Sequence, residues 1–306
     1  MSVSVKNLSY SYSVKTPYRK DAVKDVSFEL PMGGFIGIVG ATGSGKSTLI
    51  QHLNALIKPM LGKVNVLGFD PSEKKCDLRA LRSKVGMLFQ YPEYQLFDET
   101  VLKDVCFAPL NFGMTRAEAE AHAREAIELV GLDFDTVKEK SPFELSGGEK
   151  RRAAIAGIIA VRPKILIMDE PTAGLDPIGK REILALCKKL KTETVETVII
   201  ISHNMDEIAE FCDRILVMQD GRLVRDTTPT ELFSDAETME GLGLSLPHSI
   251  RIKHLLERRG IQLSSNCLSP TALSMSLQNY LNREKKAPTG HELSLTNPEY
   301  FGGEPL

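Results

Sequence analysis

The sequence predicts an α/β protein with a central parallel sheet, and three short apolar runs carry this prediction. Residues 35–39, 165–168 and 198–202 are rich in Ile, Val and Leu and are typical of buried strands. Each run is followed by residues that can bind a ligand or take part in catalysis. Ligand sites in open α/β sheets lie beyond the carboxyl ends of the strands, so we expect these residues to form one site.

The composition indicates an ordinary soluble globular protein. The chain has 306 residues, of which 42% are hydrophobic and 25% are charged, and a formal net charge of −2. Such a charge gives no basic field, so nucleic acid is not expected as a ligand. Five scattered cysteines without a C-x-x-C pair indicate reduced thiols in the cytosol.

No segment of the sequence has the pattern of a membrane span or a signal peptide. The longest apolar run, Ala153–Val161, is about half as long as a bilayer-spanning helix. The first six residues lack the apolar core of a signal peptide. Any membrane role is therefore expected to come through a partner.

The N-terminal segments Val3–Tyr12 and Ala22–Leu30 predict strands of an antiparallel β part, followed by a turn at residues 31–34. Tyr12 has two interpretations that its spacing does not separate. Its ring can stack on a flat adenine, or it can be a half-exposed strand tyrosine.

The loop Gly40–Ser47 lies between a predicted strand and a predicted helix, which is the context of a phosphate-binding P-loop. Its glycines let backbone N–H groups converge on an anion, and the dipole of the following helix adds positive charge. Lys46 can reach the β- and γ-phosphates, and the Ser47 hydroxyl can ligate Mg²⁺. This stretch predicts that the chain binds a nucleoside triphosphate.

Two carboxylates, Asp169 and Glu170, end the apolar run 165–168. Asp169 can hold Mg²⁺ opposite Ser47, directly or through water, and Glu170 can orient or deprotonate the attacking water. The alternative is a pair of solvated loop carboxylates, which the presence of the P-loop disfavours.

Two further polar residues follow predicted strands. Gln90 ends the run 85–89, and His203 ends the run 198–202. Gln90 can cap the strand edge, or it can reach Mg²⁺ or the attacking water, and the surrounding motifs favour the second interpretation. His203 can be structural, or it can face the γ-phosphate if its strand is parallel to that of Asp169.

Residues 91–162 lack strand signals and predict a helical subdomain inserted into the α/β core. Thr115 and Glu118 have the spacing of a capping box at a helix start. Near the end of this segment, Leu145–Arg152 leads into an apolar helix from Ala153 to Val161. Its Ser-Gly-Gly start is a common N-cap, and it is also a second anion-binding helix end.

The expected domains are a nucleotide-binding α/β core (1–90 and 163–228), the helical subdomain (91–162), a C-terminal helical extension (229–282) and a flexible tail (283–306). The tail is polar and rich in Pro and Gly. The expected later elements are a helix over 180–191, strands over 211–218 and 222–225, and helices starting at Pro229, Pro247 and Pro270.

Taken in order, these motifs resemble the ATP-binding cassette (ABC) ATPases over roughly Val3–Glu231. The resemblance implies a P-loop NTPase core with ATP and Mg²⁺ as ligands. It implies Glu170, His203 and Gln90 as catalytic residues, and Ser47, Gln90 and Asp169 at the metal. The nucleotide-binding residues that it implies are Tyr12, Gly40, Thr42, Gly43, Ser44, Gly45, Lys46, Ser47, Thr48, Ser146, Gly147, Gly148 and Asp176.

The resemblance also implies a dimer. Leu145–Glu149 matches the signature motif of the family, in which Gln is usual at the position of Glu149. The signature and the P-loop of one such chain lie too far apart to share a nucleotide. The signature is therefore expected to close on ATP held by a homologous ATPase subunit, in a head-to-tail heterodimer or homodimer that ATP closes and hydrolysis releases.

A finer resemblance rests on residues 90–97, 51–54 and 141–144, which are similar to the ATPase subunits of energy-coupling factor (ECF) transporters, in particular the second member of the heteromeric pair. This implies a peripheral subunit at the cytoplasmic face of the cell membrane, importing a vitamin or a transition-metal ion. The implied partners are a transmembrane coupling protein and, through the complex, a substrate-binding membrane protein. Tyr94, Leu96 and Phe97 are expected to line a groove for a helix of the coupling protein.

Two other functions compete with transport. A soluble ABC ATPase in translation carries two cassettes in one chain, and one in DNA repair carries long coiled-coil insertions; this sequence has neither feature. A binding module that holds nucleotide without turnover is the third possibility, and the intact Glu170 and His203 argue against it.

Overall fold

The computed structural model describes residues 3–264 and 267–284. The described residues form two compact units, one within residues 1–247 and the other within residues 248–306. The site residues named above all belong to the first unit. The tail expected over 283–306 lies outside the described residues from 285 onward.

Nine strands form two sheets in the described part of the chain. In chain order they are β1 (Val3–Tyr12), β2 (Lys20–Leu30), β3 (Phe35–Val39), β4 (Leu61–Val66), β5 (Val85–Leu88), β6 (Ile165–Asp169), β7 (Thr197–Ile201), β8 (Arg214–Gln219) and β9 (Arg222–Thr227).

The larger sheet has the strand order β5-β6-β7-β3-β8-β9 and is parallel except for the antiparallel edge pair β8–β9. Every residue of β3, β5 and β7 is buried, because helices cover both faces of such a sheet and leave only apolar side chains suitable for its strands. The parallel register brings the carboxyl ends of β3, β5, β6 and β7 to one edge. The α/β prediction is confirmed.

The smaller sheet has the order β2-β1-β4 and is antiparallel, as expected for the N-terminal part. Val3, Val5 and Leu8 of β1 are buried, and a register shift between Val5 and Leu8 interrupts the alternation of the strand. These side chains share one hydrophobic core with Ile36 and Ile38 of the larger sheet. The two sheets are therefore held together by common apolar burial.

Twelve helices accompany the strands in the described residues. They are α1 (Lys46–Leu53), α2 (Leu78–Lys84), α3 (Val101–Asn111), α4 (Arg116–Leu129), α5 (Phe134–Val137), α6 (Gly147–Ile159), α7 (Pro177–Glu193), α8 (Met205–Phe211), α9 (Pro229–Ser234), α10 (Ala236–Gly241), α11 (His248–Glu257) and α12 (Pro270–Glu284). Two 3₁₀ turns, Pro92–Gln95 and Pro142–Glu144, precede α3 and α6.

Residues 91–162 contain helices and no strand, as predicted. Helices α3, α4 and α6 pack on one another, and the expected capping box of Thr115 with Glu118 starts α4. The apolar side of α4 includes Ala119, Ala123 and Ile127, all fully buried. None of the described helices is long and apolar enough to cross a membrane.

Several elements differ from the prediction, among them the following three. Helix α6 begins at Gly147, directly after the Ser146 cap that the sequence offered as a helix start, so it includes six residues before the apolar run from Ala153. Strand β8 begins at Arg214 instead of Phe211, since Phe211 ends helix α8. Helix α10, capped by Asp235, was not expected and lies in the first unit with α9. The division of the first unit into core and helical subdomain, and the start of the extension at 229, stay predictions.

The second unit contains α11 and α12, which pack on each other. Ile250, Cys267 and Leu273 form its buried apolar part. The Ser264 amide donates to the Ser276 hydroxyl at 2.8 Å. The predicted helices from Pro247 and Pro270 are both found.

Candidate functional site

The loop Gly40–Ser47 connects β3 to α1, as the sequence predicts. Gly40 (φ +146°) and Gly45 (φ +101°) have conformations that other residues rarely adopt. A Cβ on Gly40 would lie 2.1 Å from the Met218 carbonyl oxygen, and one on Gly45 would lie 2.2 Å from the Ala22 carbonyl oxygen. These two glycines therefore let the loop pass against β8 and β2.

The interior of this loop has polar groups suited to an anion. The Lys46 ammonium is buried and donates to the carbonyl oxygens of Gly40 (2.8 Å) and Ala41 (3.0 Å). Burial lowers the pKa of Lys46, and the carboxylates of Glu170 and Asp169 partly oppose the shift. Among the described residues, the buried Ser44 hydroxyl finds no hydrogen-bond partner. A phosphate group would satisfy both the ammonium and the hydroxyl.

A cavity of about 170 Å³ adjoins the loop. Tyr12 lies at its wall and is 38% exposed, and its hydroxyl is 3.2 Å from the Thr48 hydroxyl. The structure therefore brings Tyr12 to the P-loop helix and orients its ring. The cavity is lined by Tyr12, Lys20, Ala22, Gly43, Gly45, Lys46, Ser47 and Thr48. Thr42 lies in the same loop, with its side chain exposed.

The hydroxyl of Ser47 and the carboxylate of Asp169 meet at the end of β6. Burial raises the pKa of the Asp169 carboxyl, and the neighbouring Ser47 hydroxyl partly opposes this shift. A hydroxyl and a carboxylate are oxygen ligands that Mg²⁺ prefers. The residues present therefore fit a magnesium ion.

Glu170 lies between the two other predicted catalytic residues. The Gln90 amide nitrogen donates to Glu170 Oε2 at 3.1 Å, and His203 Nε2 is 2.9 Å from Glu170 Oε1. Asp169 pairs with Ile201 in the parallel register of β6 and β7, so Glu170 and the residues after β7 leave the sheet side by side. The structure brings Gln90, Glu170 and His203 together.

The backbone of Glu170 has a left-handed conformation (φ +49°), which costs free energy for a residue with a side chain. Two hydrogen bonds hold this turn. The Glu170 amide donates to the Ile201 carbonyl oxygen at 3.0 Å, and the Ala173 amide donates to the Glu170 carbonyl oxygen at 3.0 Å.

The signature residues lie apart from this group. Ser146, Gly147 and Gly148 are exposed at the start of α6 and are not among the residues that line the P-loop cavity. Ser146 caps the helix, and its hydroxyl donates to Glu149 Oε2 at 2.7 Å. These hydrogen bonds lower the pKa of Glu149. The residue that differs from the usual Gln is thus used in a capping box.

Asp176 also caps a helix. Its Oδ1 accepts from the Gly179 amide at 2.7 Å at the start of α7. Its predicted contact with nucleotide stays a prediction.

Sequence reasoning missed a buried carboxylate that joins two loops of the site. Glu207 accepts hydrogen bonds from the Thr172 hydroxyl (3.0 Å to Oε1), the Ser202 hydroxyl (2.8 Å) and the Asn204 amide (3.1 Å). Thr172 follows Glu170, and Asn204 follows His203. The spacing of Asn204 and Glu207 fits a capping pattern, which was the available signal. Thr172 and Glu207 are 35 residues apart in sequence, and a contact at this separation produces no local sequence pattern.

Comparison with known proteins gives consistent results. The family described as "ABC transporter" matches residues 23–173. The energy-coupling factor transporter ATP-binding protein EcfA2 of Caldanaerobacter subterraneus subsp. tengcongensis is 47% identical over 285 residues, which cover 93% of this chain and 99% of that protein. The protein of the same name from Ligilactobacillus salivarius is 49% identical over 251 residues, covering 81% and 86%.

Solved structures agree with these relatives. cbiO1 from Clostridium perfringens, described as part of the ABC transporter complex cbiONQ, superposes with a TM-score of 0.68 at 36% identity, over 83% of this chain and 98% of that one. The ATP-binding cassette MJ0796, a dimer in a post-hydrolysis state with ADP and Pi, superposes with a TM-score of 0.66 at 30% identity, over 74% and 98%.

Proposed function

Because this chain belongs to the ABC transporter family, as an ATP-binding protein of the energy-coupling factor type, we propose that it hydrolyses ATP at the edge of its parallel sheet to energise import of a vitamin or a transition-metal ion. The observation that carries this proposal is the position of Glu170, held between Gln90 and His203 beside the P-loop lysine.

The triphosphate binds in the loop Gly40–Ser47. Its backbone amides and the start of α1 receive the phosphate oxygens, and the Lys46 ammonium moves from two carbonyl oxygens to the β- and γ-phosphates. The unsatisfied Ser44 hydroxyl supports this placement. Tyr12 stacks on the base, since its ring stands at the wall of the cavity beside Thr48.

A magnesium ion binds to the Ser47 hydroxyl and to Asp169, directly or through water, with the Gln90 side chain as a further candidate ligand. When bound, the ion neutralises charge that develops on the β- and γ-phosphate oxygens. The contact between the Ser47 hydroxyl and the Asp169 carboxylate supports this assignment.

Glu170 acts as the general base. Its carboxylate orients the attacking water and accepts a proton from it as the water oxygen bonds to the γ-phosphorus. The bond from that phosphorus to the β-phosphate oxygen breaks, and ADP leaves. His203 fixes one carboxylate oxygen through Nε2, and Gln90 fixes the other through its amide. A carboxylate held by two donors loses little orientational freedom before the reaction.

The nucleotide site is completed by a second chain. The exposed helix start at Ser146–Gly148 is separate from the cavity of its own P-loop, and it offers free amides and a helix dipole to an anion. We assign these residues, with Asp176, to the nucleotide of a homologous ATPase in a head-to-tail dimer. A heterodimer fits the energy-coupling factor family, and a homodimer is the alternative.

The membrane partners bind near the 3₁₀ turn that follows Gln90. Tyr94 is 85% exposed and Phe97 is 58% exposed, and Phe97 stacks edge-to-face on Phe107 with ring centroids 4.8 Å apart. Leu96, in contrast, is only 7% exposed, so its predicted place in the groove is wrong and it packs inside the unit. We assign Tyr94 and Phe97 to a helix of a transmembrane coupling protein, which places the chain at the cytoplasmic face of the membrane. A substrate-binding membrane protein joins through that partner.

Purification of the tagged chain from detergent-solubilised membranes tests this function. We expect a second ATPase and integral membrane proteins to co-purify, and the double substitution Tyr94→Ala with Phe97→Ala to reduce the membrane proteins at least about tenfold, because buried aromatic anchors contribute about 2 kcal/mol or more each. ATP binding should be retained.

Tyr18→Ala is the matched control, since Tyr18 is as exposed as Tyr94 but lies before β2. It should leave the complex intact. If the wild-type chain is found only in the soluble fraction and still hydrolyses ATP, the soluble, non-transport alternative is correct.

A further inference from the structure

Arg151 is a buried cation that ATP binding and base catalysis, as described above, do not use. It lies on α6, and its side chain is 2% exposed. Its Nε and Nη2 donate to the two carboxylate oxygens of Glu93, each at 3.1 Å. Its Nη1 donates to the carbonyl oxygens of Pro171 (3.1 Å) and Ala173 (3.0 Å). All three guanidinium nitrogens therefore have partners.

This arrangement needs an arginine. The two parallel bonds to one carboxylate use the planar fork of the guanidinium, which a lysine ammonium does not have. Burying a guanidinium is also a poor way to gain stability, because the loss of hydration offsets most of its attraction to a carboxylate. The contacts of Arg151 therefore indicate that it fixes the positions of its partners more than it stabilises the fold.

The partners of Arg151 belong to two segments of the site. Glu93 lies in the 3₁₀ turn Pro92–Gln95, which follows Gln90. Pro171 and Ala173 lie in the loop that follows Glu170. The Ala173 amide donates to the Glu170 carbonyl oxygen, so the guanidinium holds the same residue that closes the left-handed turn of Glu170.

Two further contacts join these segments. The Gln90 amide donates to the Glu170 carboxylate. A Cβ on Gly174 would lie 3.4 Å from a ring carbon of Tyr91, so the Tyr91 ring packs directly on the backbone of that loop. The segment after Gln90 and the loop after Glu170 are thus joined at three places: by the Gln90–Glu170 hydrogen bond, by Tyr91 on Gly174, and by the Arg151 guanidinium.

We propose that Arg151 is a positioning residue that couples the segment Gln90–Gln95 to the loop Glu170–Asp176, so that displacement of the first segment moves the Glu170 carboxylate. The inference rests on the proposed role of Glu170 as general base. Since Tyr94 lies in the coupled segment, a partner docked there alters hydrolysis through Arg151. Arg151 also lies on α6, which begins with the signature residues. Closure of the signature on a second chain therefore also acts on the contacts of Arg151 with the two segments.

Kinetics of the full-length chain, assayed with its ATPase partner, test the coupling. We expect Arg151→Met to lower kcat by about 10- to 100-fold, since a small misplacement of a catalytic group has effects of this size. The KM for ATP should stay within about threefold, because the P-loop is not changed. Glu93→Gln removes the negative charge that accepts the two hydrogen bonds of Arg151, at a partly exposed position. It should also lower kcat, by a smaller factor than Arg151→Met.

Arg152→Met is the matched control. Arg152 is the next residue on α6, and it donates to the Val130 carbonyl oxygen (2.8 Å) and to Glu182 (2.6 Å), which lie outside both coupled segments. Its kcat should stay within about threefold of wild type. Arg151→Lys should recover only part of the lost kcat, because an ammonium cannot form the paired bonds to Glu93.

A fluorescence measurement separates positioning from folding. The chain has no tryptophan, so Tyr94→Trp introduces a single reporter on the coupled segment. Binding of the non-hydrolysable analogue AMP-PNP with Mg²⁺ should change its emission, and this change should be lost with Arg151→Met and kept with Arg152→Met, while both variants bind the analogue.

The inference is wrong if Arg151→Met and Glu93→Gln both keep kcat within about twofold of wild type, or if the fluorescence change persists without Arg151. If Arg151→Met fails to fold, Glu93→Gln and its fluorescence response decide the question. Failure of the proposed function would look different: Glu170→Gln would then retain the turnover of the wild-type protein.

Discussion

At the scale of single residues, the site depends on the orientation of the Glu170 carboxylate. Both of its oxygens have partners, His203 and Gln90. Replacing Glu170 by Gln keeps the size of the side chain and removes its ability to accept a proton. We expect Glu170→Gln to bind ATP normally and to lower turnover by about 10²–10⁴-fold, measured as phosphate release.

Binding of a fluorescent ATP analogue is the control for this variant, and its Kd should be unchanged. A turnover within a few-fold of wild type would assign the base to another residue.

Glu149 shows how one difference from the usual signature is accommodated. Its carboxylate accepts from both the amide (2.8 Å) and the hydroxyl (2.7 Å) of Ser146. A glutamine carbonyl oxygen can accept the same bonds, so we expect Glu149→Gln to change turnover by less than about threefold. Glu149→Ala removes the acceptor and should destabilise the protein by roughly 0.5–1 kcal/mol, the lower part of the range for helix caps.

Urea unfolding and steady-state turnover of the two Glu149 variants check this prediction. A large loss of turnover in Glu149→Gln with unchanged stability would show that the carboxylate acts on nucleotide directly.

At the scale of elements, Glu207 joins the loops that follow β6 and β7. It lies at the start of α8 and is buried, and it accepts from Thr172, Ser202 and Asn204. Glu207→Ala leaves the buried hydroxyls of Thr172 and Ser202 without this acceptor, which costs about 1–3 kcal/mol. Because the loops carry Glu170 and His203, turnover should fall as well.

Glu210→Ala on the same helix is the control for Glu207→Ala. Glu210 is exposed and pairs with Lys188 at 3.7 Å, so its loss should change stability by less than about 0.5 kcal/mol. Equal unfolding free energies for the two variants would show that the buried network does not hold the loops.

The elements themselves were largely predictable, because burial and capping leave local patterns. The runs of β3, β6 and β7 are apolar since both sheet faces are covered, and Thr115 with Glu118 signals the start of α4. The apolar run predicted the body of α6 from Ala153, and the Ser-Gly-Gly stretch before it predicted the cap at Ser146 that starts the helix. Helix α10 has few apolar residues, of which Met239 is buried, and its periodicity was too weak to detect.

At the scale of the whole molecule, the sequence predicted which residues would follow the strands but not how they would be linked. Gln90, Glu170 and His203 were each found from their position after an apolar run. The partners of Arg151 are 20 to 58 residues away in sequence, and those of Glu207 are 3 to 35 residues away. Such contacts depend on the packing of loops. The prediction placed Leu96 in the groove with Tyr94, because the sequence does not show that Leu96 is buried while Tyr94 is exposed.

The central claim is that the ATP sites are shared between two chains, and dilution tests it most directly. ATP turnover per chain is measured as the concentration falls, alone and with the homologous ATPase, while light scattering follows the oligomeric state. We expect turnover per chain to fall as the dimer dissociates and to recover when the partner is added. A constant turnover per chain down to concentrations at which the protein is monomeric would contradict the claim.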